Sequence, residues 1–232
     1  MGCGCNRELS MESILNLFWN GLIIRQKQFD DIVDMIRTKK RGTGEITKKK
    51  WELFIDGLLT NPDNKEISYQ IFNTALNEAR KRKNEGLFFL SILFLGKGND
   101  SELTKAFLSI AMTQGGFKDS ITINMNNSNN LIKKKDLNDI ISFYVEMISL
   151  MCVDSLSSIS DNKELFKQEF EKKFYIDNQE KFIENKIFEN YVLVDQIDIE
   201  SFIIEKHSIL SNDSYIREWL IQYINNDNLT ES

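Results

Sequence analysis

The chain opens Met1-Gly2-Cys3-Gly4-Cys5-Asn6. A glycine uncovered by loss of the initiator methionine is the acceptor for N-myristoylation, and neighbouring cysteines are the usual sites of S-palmitoylation. Gly2, Cys3 and Cys5 are therefore the candidate lipidation residues. One position departs from the motif, because Asn6 stands where Ser or Thr is preferred. A single myristoyl chain binds a bilayer only marginally, so a palmitoyl group on Cys3 or Cys5 would supply the second signal. The competing reading, a Cys-x-Cys metal pair, lacks a partner cluster.

A second constellation recurs along the chain: a helical stretch, a polar loop, one isoleucine, then a further helix with an acidic residue near its start. This is the order of parts in an EF-hand. With Ile132 at the eighth loop position, Met125 falls at the first, Asn127 at the third, Asn129 at the fifth and Asp136 at the twelfth. Asn127, Asn129 and Asp136 are weak candidate ligands. Met125 offers no oxygen, and Asp136 is shorter than the usual glutamate, so a bound calcium is not expected. With Ile197 at the eighth position, the ligand positions hold Asn190 and Val192, and Ser201 takes the twelfth. In the first loop Gly44 serves the sharp turn, and Lys39, Arg41, Thr43 and Lys50 fall where ligands belong. Ammonium groups there repel a cation. Arg37, Lys39, Lys40, Arg41, Lys48, Lys49 and Lys50 read as a basic patch facing anionic lipid, or as a solvated loop.

Other chemistry is missing. His207 is the single histidine, which excludes any site that needs two. There is no phosphate-binding loop, dinucleotide fingerprint or nucleophile elbow, so no enzyme is expected. Net charge is −6, with the basic residues concentrated in the amino half, which argues against nucleic acid as partner. No run of about 18 apolar residues would span a bilayer, and the amino terminus lacks a secretory h-region. Three cysteines make no disulfide framework and fit a reducing compartment.

The elements that position these residues read as helices. Hydrophobic content is 41%, enough for a sizeable core, and the chain has one proline. Apolar residues recur at helical spacing at Phe29, Ile32, Val33 and Ile36, at Phe72, Ala75, Leu76 and Ala79, and at Leu103, Ala106, Phe107 and Ile110. The stretch Leu87–Leu95 is apolar but for Ser91, and a helix is expected to open at Asp100 or Ser101 with Glu102 in its first turn. Asn61-Pro62-Asp63-Asn64 reads as a turn. The fold class is all-α, built of degenerate EF-hand-like helix-loop-helix pairs with short β-like turns in their loops. The expected division is a flexible acylated terminus (1–9), an amino-terminal pair (10–98), a carboxyl-terminal pair with a closing helix at Tyr215–Ile224 (99–224), and a tail (225–232).

The acylatable Met1-Gly2, the degenerate paired hands and the run Leu95-Gly96-Lys97-Gly98-Asn99-Asp100-Ser101-Glu102 together resemble the EF-hand-like amino-terminal region of the myristoylated TLDc-domain proteins. The chain resembles the calcineurin-B and neuronal-calcium-sensor plan more loosely. What these resemblances imply is a non-catalytic, calcium-independent adaptor or regulatory protein. It would sit on the cytoplasmic face of a membrane through myristoyl and palmitoyl anchors and bind a helical segment of a protein partner. A calcium sensor with one weak site in the third hand, and a structural component of a cytoskeletal or cortical assembly, are the alternatives.

Overall fold

The computed structural model describes residues 22–40, 53–54, 62–82, 84–113, 117–123, 130–157 and 179–211. Gly2, Cys3, Cys5, Arg41, Lys48, Lys49, Lys50, Asn127, Asn129 and the expected helix Tyr215–Ile224 lie outside these residues, as do the side chains of Lys39 and Lys40. In order, the elements are α1 (Phe29–Lys40), α2 (Pro62–Lys81), α3 (Glu85–Leu93), α4 (Asp100–Thr113), β1 (Ile121–Ile123), β2 (Asn130–Lys133), α5 (Lys134–Ser157), α6 (Gln179–Phe182), β3 (Gln196–Asp198) and α7 (Ile199–Ser211). The described residues are mostly helical, with a small three-stranded sheet.

Helix α3 has no polar face, and every residue from Gly86 to Leu93 is buried. Such a helix must be surrounded, and α1, α2, α4 and α5 pack around it. The one polar side chain in that buried run, Ser91, donates from Oγ to the Ile140 carbonyl of α5 at 3.2 Å, so it is not left unpaired. Phe88 and Phe89 stand edge-on to Phe72 and Phe54, with centroids 6.2 Å apart in each pair. Arg82 follows α2 and Asn84 precedes α3. Arg82 lies over the Phe143 ring at 5.5 Å and reaches Glu146 at 3.4 Å, which ties this corner to α5.

Pro62 opens α2 rather than a free turn. The first helical position has no intrahelical N–H bond to lose, and proline's fixed φ suits it. Helix α4 starts where the sequence places it. Asn99 Oδ1 accepts from the Glu102 amide at 3.0 Å, and Glu102 Oε2 accepts from the Asn99 amide at 2.9 Å. This reciprocal box satisfies two amides that the first turn would otherwise leave open.

The approaches to α1 and α4 run side by side. The Lys97 amide donates to the Lys27 carbonyl at 2.8 Å, beside a parallel bridge between Gln28 and Lys97. Phe29 fills the space between Gly96 and Gly98. A Cβ on Gly96 would stand 2.8 Å from the Phe29 ring, and one on Gly98 would stand 2.7 Å from it.

The sheet has the order β1-β2-β3 and is antiparallel throughout. Ile132 faces Ile121 on one side and Ile197 on the other, so three buried isoleucines form one row. The two residues given the same loop number in the sequence thus stand opposite each other. Strands β2 and β3 run directly into α5 and α7. Farther along, the buried Tyr144 hydroxyl donates to the Leu210 carbonyl near the end of α7. Strand β1 and the turn at Lys118–Ser120 divide the long polar segment between α4 and β2.

Candidate functional site

The site lies where the turn before β3 meets the starts of α5 and α7. The stripe of α7 that faces inward is Ile199, Phe202, Ile203, Lys206, His207 and Leu210. Two polar groups therefore share an apolar face, and each has a built partner set. His207 Nδ1 lies 2.6 Å from Asp100 Oδ1 at the start of α4, with the Phe29 ring 5.9 Å away. His207 is thus a clamp between α7 and α4, not a group facing a cleft.

The Lys206 side chain is only 2% exposed. Its ammonium has three N–H donors, and three acceptors surround it: the Lys186 carbonyl at 3.2 Å, Glu189 Oε1 at 3.2 Å and Glu205 Oε1 at 2.9 Å. A buried ammonium is tolerated only when paired and fully bonded in this way. Glu205 is the shared acceptor. Its Oε2 receives the Tyr191 hydroxyl at 2.7 Å, and Oε1 also receives the Asn190 amide. The Tyr191 hydrogen bond, then those of Lys206 and Asn190, hold the Glu205 carboxyl below its ordinary value despite partial burial. Burial and the Glu205 charge push the Tyr191 phenol well above its own. Beneath this network Phe188 stacks on Phe202, with centroids 5.6 Å apart, and Tyr191 tilts onto Phe202 at 5.7 Å.

A second cation closes the turn. Lys134 Nζ donates to the Val192 carbonyl at 3.1 Å, and the Lys134 amide donates to the Asp195 carbonyl at 2.9 Å. The turn so fixed presents Val192, Leu193 and Val194 outward, with exposures of 66%, 96% and 40%. Beside it lies an open groove of about 1240 Å³. Lys133, Lys134, Lys135 and Asn138 line it from the β2–α5 junction. Glu184, Asn185, Phe188 and Glu189 line it from the segment that follows α6, which winds as a π-turn over Ile183–Ile187. Val192, Val194, Asp195 and Gln196 complete it.

Three positions of the fourth loop take part in this network and in the start of α7. The Asn190 side-chain NH2 donates to Glu205 Oε1, the Val192 carbonyl accepts from the Lys134 ammonium, and Ser201 donates from its amide and hydroxyl to the Asp198 carboxylate that caps α7. Among the described residues no group of three His, Cys, Asp or Glu side chains is arranged to hold a metal.

Of the residues singled out in the sequence, Asp136 lies in the first turn of α5, where a carboxylate suits the helix dipole. Arg37 donates to Ser109 Oγ of α4 and lies 4.0 Å from Asp34, so its guanidinium is turned across the α1–α4 contact. The structure brings neither of them to the groove. Lys134, Tyr191, Glu205 and Lys206, which build the site, were not among the expected residues. One signal for them existed, a lysine standing inside the apolar stripe of α7. Among the described residues no helix is long and apolar enough to cross a membrane. Comparison of the chain with protein-family models, with curated proteins and with solved structures finds no match.

Proposed function

We propose that this chain is a lipid-anchored, non-catalytic adaptor of EF-hand-like build that engages a protein partner without calcium. The observation that carries this reading is the closure of the fourth loop by the protein's own cation, the Lys134 ammonium on the Val192 carbonyl. A sensor needs its loop oxygens free in one state and bound to the ion in the other. Here the Val192 carbonyl already accepts from a lysine, and an open groove lies beside the turn. The register of Ile132 against Ile197, each strand leading straight into a helix, supports the paired-loop build. Strand β1 is an addition to that plan.

The anchor is the Gly2 acceptor with Cys3 and Cys5, which would hold the protein on the cytoplasmic face of a membrane. The test has two arms. Gly2→Ala expressed in a eukaryotic cell moves the protein from the membrane to the soluble fraction. Millimolar Ca²⁺ added to purified protein leaves its melting temperature unchanged, since a ligand that does not bind the native state does not stabilise it. A saturable rise in melting temperature, abolished by Asp136→Ala, would return the calcium-sensor reading, and an unmoved Gly2→Ala protein would remove the anchor.

A further inference from the structure

We infer that the turn at 192–195 is a second membrane contact of this chain, an apolar tip that inserts among the headgroups of an anionic bilayer. The inference rests on the lipid-anchored reading for the presence of a bilayer, and it adds the surface that meets one.

The tip is exposed and held from behind. Leu193, 96% exposed, stands between two exposed valines, Val192 and Val194. Single exposed apolar residues are ordinary on a protein surface, whereas three in a row on one turn form a patch. Lys134 donates from its ammonium to the Val192 carbonyl and from its amide to the Asp195 carbonyl. Two carbonyls of the turn therefore keep their partners when the tip leaves water, which is what lipid demands of irregular backbone.

Area and charge select the occupant. Three aliphatic side chains fall well short of the roughly 800 Å² that a stable protein interface takes from each partner. The neighbouring groove does not extend the patch, because most of its lining side chains are polar or charged. A bilayer needs no matching shape, and a protruding apolar tip gains by burial alone. Lys133 and Lys135 are exposed and line the groove with Val192 and Val194. Together with Lys134 they set three ammonium groups against the Asp195 carboxylate beside the tip. Of the two glutamates across the groove, Glu189 is already paired with Lys206, which leaves Glu184. A net positive base behind an apolar tip complements negative headgroups over apolar tails.

The test is sedimentation of the full chain, without acyl groups, with phosphatidylcholine vesicles that contain or lack phosphatidylserine. The chain is expected to sediment with both and more strongly with phosphatidylserine. Leu193→Asp should lower the partition coefficient about tenfold on both, because a charge replaces the most exposed apolar group of the tip. Lys133→Glu with Lys135→Glu should abolish the gain from phosphatidylserine, and Asp195→Asn should enlarge it. Amide exchange at Leu193 and Val194 should slow when vesicles are added. The substituted side chains are exposed, so melting temperature should hold. The proposal is overturned if the chain stays in the supernatant, or if Leu193→Asp sediments like the unsubstituted chain. It is also overturned if Leu193→Asp instead dissociates a self-associated species in sedimentation velocity. Because the protein is unacylated, none of these results bears on the lipid anchor, which Gly2→Ala tests separately, so either reading can fail alone.

Discussion

Phe29 and Glu205 show how single side chains set local structure here. The Phe29 ring is enclosed by Gly96 and Gly98, and a Cβ at either glycine would overlap it or, at Gly98, also Glu102 Oε2 at 2.6 Å. The ring is buried and cannot swing aside, so Gly98→Ala should cost about 1–3 kcal/mol, read as a lower midpoint in urea unfolding. Phe29→Leu in the same chain should recover part of that loss, because the smaller side chain yields the space.

Glu205 makes a prediction of a different kind. Its carboxyl is held below the ordinary value of 4.5, chiefly by the Tyr191 hydroxyl, so its contribution is complete above that value and fades as pH falls through the lowered folded value. Glu205→Gln should therefore lower stability at pH 7 and flatten the acid limb of a stability–pH profile. Glu146 acts with the opposite sign. Burial raises its carboxyl above the ordinary value against the pull of Arg82. Its charge thus weighs against folding near neutrality, and this weight is relieved as pH falls through the raised value. An acid limb unchanged by Glu205→Gln would mean that the Tyr191–Glu205 bond does not persist in solution.

At the scale of elements, the sheet and the two helices leaving it act as one unit. Ile132 is the centre of the isoleucine row, and Tyr144 closes the far end on the Leu210 carbonyl. Ile197→Ala should cost about 2–5 kcal/mol, since the row leaves little room for collapse. Tyr144→Phe should cost about 1–3 kcal/mol, because a carbonyl near the buried end of α7 loses its donor. Exchange of the last α7 amides should rise in Tyr144→Phe and leave β2 protected. The helices were legible because Phe29-Ile32-Val33-Ile36 and Leu103-Ala106-Phe107-Ile110 repeat at the helical period, and the Asn99–Glu102 box marks a start by residue type alone. Ile132 and Ile197 were legible as single isoleucines before acidic helix starts. Strand β1 was not, because Ile121-Thr122-Ile123 is too short for alternation to register and its partner comes after a gap in the chain. Pro62 misled because proline serves a turn and a first helical residue equally well. The groove was out of reach, since Lys133–Lys135 and Glu184–Glu189 lie some fifty residues apart in the sequence and meet only through the fold.

Among the described residues of the molecule, the buried residues of α1 through α7 form one continuous cluster, from Leu22 to Leu210. Residues on both sides of the boundary expected at 98 and 99 belong to it. Helix α3 lies against α4 and α5, and α1 lies against α4, whose first residue reaches His207 on α7. Elements that share a core unfold together, because exposing one face strips its neighbour of cover. Ile32 is fully buried in α1, far in sequence from the sheet. Ile32→Ala should destabilise by about 2–5 kcal/mol. In a native-state exchange experiment the most protected amides of α7 should then lose protection by the same amount as those of α3. Had the two halves been separate folding units, α7 would keep its protection while α1 and α3 alone weakened. That outcome would also separate the turn before β3 from the amino half, and a bilayer bound there would then stabilise only the carboxyl half. With a single core, the same binding protects α1 as much as α7, by an amount set by lipid concentration over the dissociation constant.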